Sequence, residues 1–238
     1  MVVSGDGEYV ICDRTGKPFK EVPSVSIHAP DAAASVVKQL IHLAKFHATE
    51  ELENTDKSSA LAGKLVVEWL GTSDSYTRGD KIPRKSAMQP FPDPSRPTVK
   101  RGEYIFLKIQ NNSSQALNVA VLDLASDWSI EQIFPGEGEN FYTLDEGDNK
   151  VVIPIPAGEA GEDIVKVLAT LGPANFRWLE LPAMGEEIKG RSATRAANPL
   201  EAMFAAVAAE QPPTRKLNEV STPSSQWITK QISLTVTE

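Results

Sequence analysis

The chain has 238 residues, 41% of them hydrophobic, and carries a net charge of −8 from 24 basic and 32 acidic side chains. That apolar fraction is ample for a real core and excludes disorder throughout, while the acidic balance, with no cluster of Lys and Arg, argues against a nucleic-acid partner. No apolar window approaches the roughly 20 residues needed to span a bilayer, and Met1-Val2-Val3 leads into Ser-Gly-Asp-Gly with no apolar signal, so the expectation is a soluble, cytoplasmic protein with no membrane partner.

The first predicted element is a short strand, Glu8-Tyr9-Val10-Ile11-Cys12, followed by Asp13 to Pro18 with Gly and Pro where a hairpin turn wants them. So abrupt a start suggests that Met1 begins a fragment of a longer protein. Cys12 is the sole cysteine, which fits a reducing compartment, and inside an apolar run it reads as a small buried hydrophobe. From Pro30 to about Leu52 the period becomes helical: Val36, Val37, Leu40, Ile41 and Ala44 form an apolar stripe, Pro30 suits a first turn, and Asp31 suits the positive end of the dipole. His42 and His47 lie five apart on this helix, about 140° around its axis, too far apart to chelate one metal easily.

A loop, residues 54–59, precedes a strand Lys64 to Leu70 that ends at Gly71. Residues 82–98, with prolines at 83, 90, 92, 94 and 97, predict an extended surface loop. The central stretch, 103–170, holds the densest strand signals. In Tyr104 to Gln110 the residues Ile105, Leu107 and Ile109 alternate, Asn111-Asn112-Ser113-Ser114 reads as the turn of a hairpin, and Leu117 to Leu124 is apolar at almost every position, as a strand covered on both faces would be. Ser129 to Phe134, Lys150 to Ile155 and Asp163 to Thr170 continue the series. Asn175 to Leu181 reads as a further strand, residues 185–197 as a polar segment, and Asn198-Pro199 with Glu201 as the capped start of a second helix whose stripe is Leu200, Met203, Phe204 and Val207. After Pro212-Pro213 and a polar linker, Trp227 to Val236 returns to strand character.

These signals predict a mainly β chain: an antiparallel β-sandwich of immunoglobulin-like type with two peripheral α-helices near 30–50 and 198–209. As a single domain it divides into an N-terminal hairpin and helix (about 1–60), a sandwich core (about 61–182) and a C-terminal helix plus strand (about 198–238). Chemistry is poorly signposted. There is no Gly-x-Ser-x-Gly elbow and no phosphate-cradling glycine loop, and Cys12 is not placed as a nucleophile beside His28. Glu137, Glu139, Asp145, Glu146 and Asp148 form two acidic loops that allow an alternative reading, a stand-alone Ca- or ligand-binding protein or a hydrolase, although EF-hand spacing is lacking. No cofactor and no catalytic or metal residue is assigned from the residues.

Tyr9 to Gly16, Gln39 to Phe46, Ala60 to Glu68, Ile105 to Gly136 and Arg195 to Ala202 together resemble the β-rich region C-terminal to the protease domain in bacterial and fungal caspase-like (metacaspase-related) proteins. The resemblance implies a non-catalytic accessory or regulatory domain whose partner is a caspase-like protease domain, in the same polypeptide or a separate subunit. Caspase-like enzymes carry a catalytic His before Gly and a catalytic Cys after an acidic residue, whereas here His28 precedes Ala29, His42 precedes Leu43, His47 precedes Ala48, and Cys12 follows Ile11. The protease is thus expected outside this chain, and Leu40, Met203 and Phe204, on the two helical stripes, are the expected partner contacts.

Overall fold

The structure, a computed structural model, describes residues 1–186, 198–208 and 224–238. In chain order the elements are β1 (Val2–Gly5), β2 (Glu8–Ile11), β3 (Val25–Ser26), α1 (Ala32–Glu50), β4 (Leu65–Ser73), β5 (Thr98–Lys100), β6 (Tyr104–Asn111), β7 (Leu117–Leu124), β8 (Ile130–Phe134), β9 (Tyr142–Leu144), β10 (Asn149–Pro156), β11 (Gly161–Thr170), α2 (Pro199–Ala208) and β12 (Trp227–Thr237). The chain is mainly β, with antiparallel sheets and two α-helices among the described residues. The sheets run β1-β2-β3, β10-β6-β4, and β5-β12-β11-β7-β8 with β9 also on β7. The short β5 departs from the antiparallel pattern, pairing in parallel with β12.

The large sheet is buried on both faces, and the alternation of its central strands shows why. Leu117, Val119 and Val121 of β7 and Val165, Val167 and Ala169 of β11 share one core with Ile105, Leu107 and Ile109 of β6 and Ile153 and Ile155 of β10. The intervening residues, Ala120, Leu122, Leu124 and Leu168, point the other way into a second core built from Phe46 of α1, Phe176, Leu179, and Leu200 and Phe204 of α2. The continuous apolar run of β7 thus serves two cores at once.

Several expectations change. Strands β6 and β7 are not a hairpin: β6 pairs with β4 and β10, and β7 with β8, β9 and β11. The connection between them crosses from one sheet to the other, and buried Asn111 fixes the crossing. Its Nδ2 lies 2.8, 3.1 and 3.0 Å from the carbonyls of Gln115, Leu144 and Asp145, and its Oδ1 accepts from the Ser113 N–H and hydroxyl. The segment expected as a strand at 175–181 is a 3-10 turn, Phe176–Leu179, opened by Asn175, whose side chain accepts from Arg177 N–H. Only Leu181 keeps a β-bridge, to Ile130. The first hairpin turn is at Asp6 and Gly7, between β1 and β2, and Cys12 bridges Pro18 across the later turn.

Helix α1 begins at Ala32, with Pro30 outside it and Asp31 at the cap position. Helix α2 starts as its residues predict: Asn198 Oδ1 accepts from Glu201 N–H at 2.9 Å. The expected partner contact Phe204 is instead fully buried, its ring centroid 5.6 Å from that of Phe176, and Met203 is half-buried against the same core. The reason is that the outer face of the large sheet is itself apolar and must be covered. The expected polar segment and linker lie, for 187–197 and 209–223, outside the described residues.

Gly71 marks a bulge in β4, between Trp69 and Gly71, with φ of +141°. A Cβ there would collide with the Gln89 carbonyl, because Thr72 and Gln89 bond reciprocally at 2.9 Å to tie the proline-rich loop to the sheet. On β10, Pro154 and Pro156 lack N–H groups, which is tolerable because this is an edge strand whose unpaired side faces outward.

Candidate interaction surface

Helix α1 carries two apolar stripes, and only one is used by the fold. Ala32, Val36, Leu43 and Phe46 are buried. Val37 is 52% exposed and Leu40 38% exposed, with exposed Ala33 and Ala44 and half-buried Ile41 alongside them. At 1.5 Å per residue the outward strip from Ala33 to Ala44 runs about 16 Å along the helix. The five-residue stripe expected from the sequence is therefore divided: Val36 faces the core, while Val37, Leu40, Ile41 and Ala44 lie towards solvent.

This face is held in place from beneath. His42 is buried and donates from Nε2 to the Trp128 carbonyl at 2.9 Å, in the turn between β7 and β8. Trp128, at φ of +68°, donates its indole N–H to the Lys20 carbonyl at 2.8 Å and meets Phe46, Phe19 and His47 edge-on, at centroid distances of 5.1, 5.5 and 5.7 Å. At the other end of α1, buried Lys166 of β11 donates to the Glu50 carbonyl, in the last turn, and to Gln231 Oε1 at 2.8 Å. A cation at the negative end of the helix dipole is a favourable cap. Burial nevertheless lowers the Lys166 pKa from 10.5 to about 8. Gln39 adds a bond to the Pro23 carbonyl at 3.0 Å, fixing α1 against the N-terminal segment.

The groups weighed for chemistry are placed elsewhere. Cys12 is buried, and His28 is exposed. His47 pairs with Glu50 at 2.9 Å. Glu137, Glu139, Asp145, Glu146 and Asp148 are all exposed. The carbonyls of their two loops are taken up internally: Arg177 donates to Gly136 and Glu139, Gln132 to Pro135 and Glu139, and Asn111 to Leu144 and Asp145. Among the described residues no grouping of His, Cys, Asp or Glu could hold a metal ion.

One electrostatic feature is absent from the sequence-based expectations. Asp123 of β7 and Asp163 of β11 fall on the face shared by the two sheets, with Glu131 directly opposite Asp123 on β8. Burial, and then the neighbouring charges of Asp163, Glu131 and Asp127, push the Asp123 carboxyl up to about 7. Burial raises Asp163 as well. The signal in the sequence is faint: an acidic residue interrupting an apolar alternation in each strand.

No described helix is long and apolar enough to cross a membrane. No family model matches the chain, and no curated protein matches it.

Proposed function

We propose that this chain is a non-catalytic accessory domain that docks onto a caspase-like cysteine protease through the outward face of α1. The observation that carries the reading is the exposed strip of Val37 and Leu40, flanked by Ala33, Ile41 and Ala44, on a helix whose opposite stripe already fills the core. An interface uses apolar side chains grouped on one helix face as anchors. The protease as partner rests on the sequence resemblance. The domain is read as a β-sandwich of immunoglobulin-like type, with α1 and α2 on its outer face and a cytoplasmic location. Of the two candidate helices α1 is the docking element, because Phe204 of α2 is committed to the core.

The test is titration calorimetry of the chain against the recombinant catalytic domain of a metacaspase-related protease. Leu40→Glu should weaken binding about thirtyfold, the equivalent of losing an anchor worth about 2 kcal/mol, with an unchanged melting temperature. Unaltered binding by both Leu40→Glu and Val37→Glu would remove α1 as the contact. Absence of binding by the wild-type chain would remove the protease as partner.

A further inference from the structure

A strand at the edge of a sheet offers unpaired N–H and C=O groups to any other strand, and proteins guard such edges with proline, charge, shortness or cover. Most edges of the described sheets are guarded in one of these ways. β10 carries Pro154 and Pro156. β4 is covered where Thr72 and Gln89 exchange bonds, and β8 where Ile130 and Leu181 exchange bonds at 2.8 and 2.9 Å. β3 has two residues, β9 three, and β5 three ending in Lys100. β1 has neither charge nor proline; it stands at the end of the order β1-β2-β3 with all four residues exposed. Val2 and Val3, with Met1 beside them, are among the exposed large apolar side chains of the fold.

The register of the first hairpin fixes which backbone groups β1 turns outward. Met1 and Cys12 form a bonded pair: the Met1 nitrogen donates to the Cys12 carbonyl at 2.8 Å, and the Cys12 N–H to the Met1 carbonyl at 2.7 Å. With Val3 opposite Val10 and Gly5 opposite Glu8, the antiparallel alternation makes these the next two bonded pairs. The N–H and C=O groups of Val2 and Ser4 therefore point away from β2, and no described hydrogen bond reaches them. The turn, Asp6 and Gly7 at φ of +52° and +79°, is the two-residue kind that holds this register. Helix α1 packs on β2 and β3, so a strand added beside β1 extends the sheet without displacing it.

We propose that β1 pairs antiparallel with β1 of a second copy of this chain, across a two-fold axis at Val3, giving a continuous sheet β3-β2-β1-β1-β2-β3. The outward groups select that occupant. They are two donors and two acceptors placed symmetrically about Val3, so an antiparallel copy satisfies all four: Val2 of each copy pairs with Ser4 of the other. Val3 then meets Val3 at the non-bonded position, where Cα atoms approach to about 4.5 Å and β-branched side chains make favourable cross-strand contacts. Because β1 is uncharged, the net charge of −8 on each copy is not focused at the contact. The opposite edge, β3, has two residues, so the association closes at two copies and does not grow into a fibre. Four strand residues a side bury less than the roughly 1,200 Å² of a standard interface, which makes the dimer weak and reversible. The contact is independent of the protease docking proposed above, and the dimer carries two α1 strips.

Sedimentation equilibrium of the full chain from about 10 to about 500 µM, a range suited to a weak interface, tests this. The weight-average mass should rise from 25.8 kDa towards twice that value. Val3→Lys sets two ammonium groups against each other and should weaken association about tenfold or more. Ser4→Pro deletes an outward donor while sparing the bonds to β2 and should weaken it comparably. Leu40→Glu, on the outward face of α1, should leave it unchanged. In NMR-detected amide exchange of the wild-type chain, Val2 and Ser4 should gain protection with concentration, while Val3, already bonded to Val10, should not. A chain that stays monomeric throughout overturns the proposal. Association abolished by Leu40→Glu but intact in Val3→Lys also overturns it and moves the contact to α1. Should both β1 variants fail to fold, the wild-type exchange decides: Val2 and Ser4 amides whose protection is independent of concentration overturn the pairing.

Discussion

Phe204→Ala separates a core role from a surface role for α2. The ring is fully buried, packs on Phe176 at 5.6 Å, and shares its core with Leu200, Phe46 and Leu122. Removing a buried phenyl forfeits its transfer energy and leaves a void, together about 3 to 5 kcal/mol. For a chain of this size each kcal/mol shifts melting by about 2 to 4 °C, so the midpoint should fall by about 6 to 20 °C. Phe204→Leu should recover most of the loss, because it restores volume without the ring. The assay is calorimetric unfolding of the three proteins, with urea titration giving the slope as well as the midpoint. A reduced slope would mean that α2 opens as a unit of its own, in which case the loss is limited to the docking energy of that helix. A loss under about 1 kcal/mol with unchanged melting would refute the assignment of Phe204 to the core and make α2 a docking element again.

Three further outcomes follow from single contacts. Asn111→Ala should cost about 3 kcal/mol or more, measured by urea unfolding, since it strips the Gln115, Leu144 and Asp145 carbonyls of a buried donor. Gly71→Ala should cost about 1 to 3 kcal/mol in the same assay, because the left-handed φ and the Gln89 carbonyl both oppose a Cβ. Lys166 is held at about 8 against an ordinary 10.5, so its charged form costs about 3 kcal/mol at neutral pH, and stability should rise between pH 8 and 10.5 as the folded chain loses that proton first. Lys166→Met should flatten this alkaline rise, and a rise of equal size in the variant would show that another group causes it.

Both helices were legible because a 3.6-residue period sustained over a long segment buries one continuous face only if the segment is helical, and the capped start of α2 was visible in Asn198, Pro199 and Glu201. The two-sided burial of β7 was legible too, since Leu117 to Leu124 leaves almost no polar face. Strand partnership was not. The turn-forming side chains of 111–114 suit a hairpin and a crossing between sheets equally, and what decides is Asn111 reaching carbonyls of the later loop 144–145, a contact invisible to local pattern. The 3-10 turn at Phe176–Leu179 has the composition of a strand, but Arg177 is engaged with carbonyls of Gly136 and Glu139 far away in sequence. At the candidate surface, the apolar stripe of α1 was apparent while its division was not, because Val36 and Val37 are chemically alike and only the tertiary placement of the helix makes one of them inner.

Strands β7 and β11 raise a problem of alignment that a strand with one wet face does not have. An ordinary half-exposed strand that slips by one residue is punished at once, because its apolar set is turned into water. Here both sides are apolar, and a slip would simply exchange the contents of two cores. The polar exceptions supply the missing penalty. In the observed register Lys166 meets the last turn of α1, and Asp123 and Asp163 lie together at the end of the sheet. One residue out of step, the lysine would be driven between the sheets without the Glu50 carbonyl, and the aspartates would turn into the aromatic layer under the helices. Three groups that cost the native state desolvation energy are therefore the ones that make the misaligned states costlier still, and replacing all of them with apolar residues should yield a chain that is harder to melt but populates more than one strand alignment.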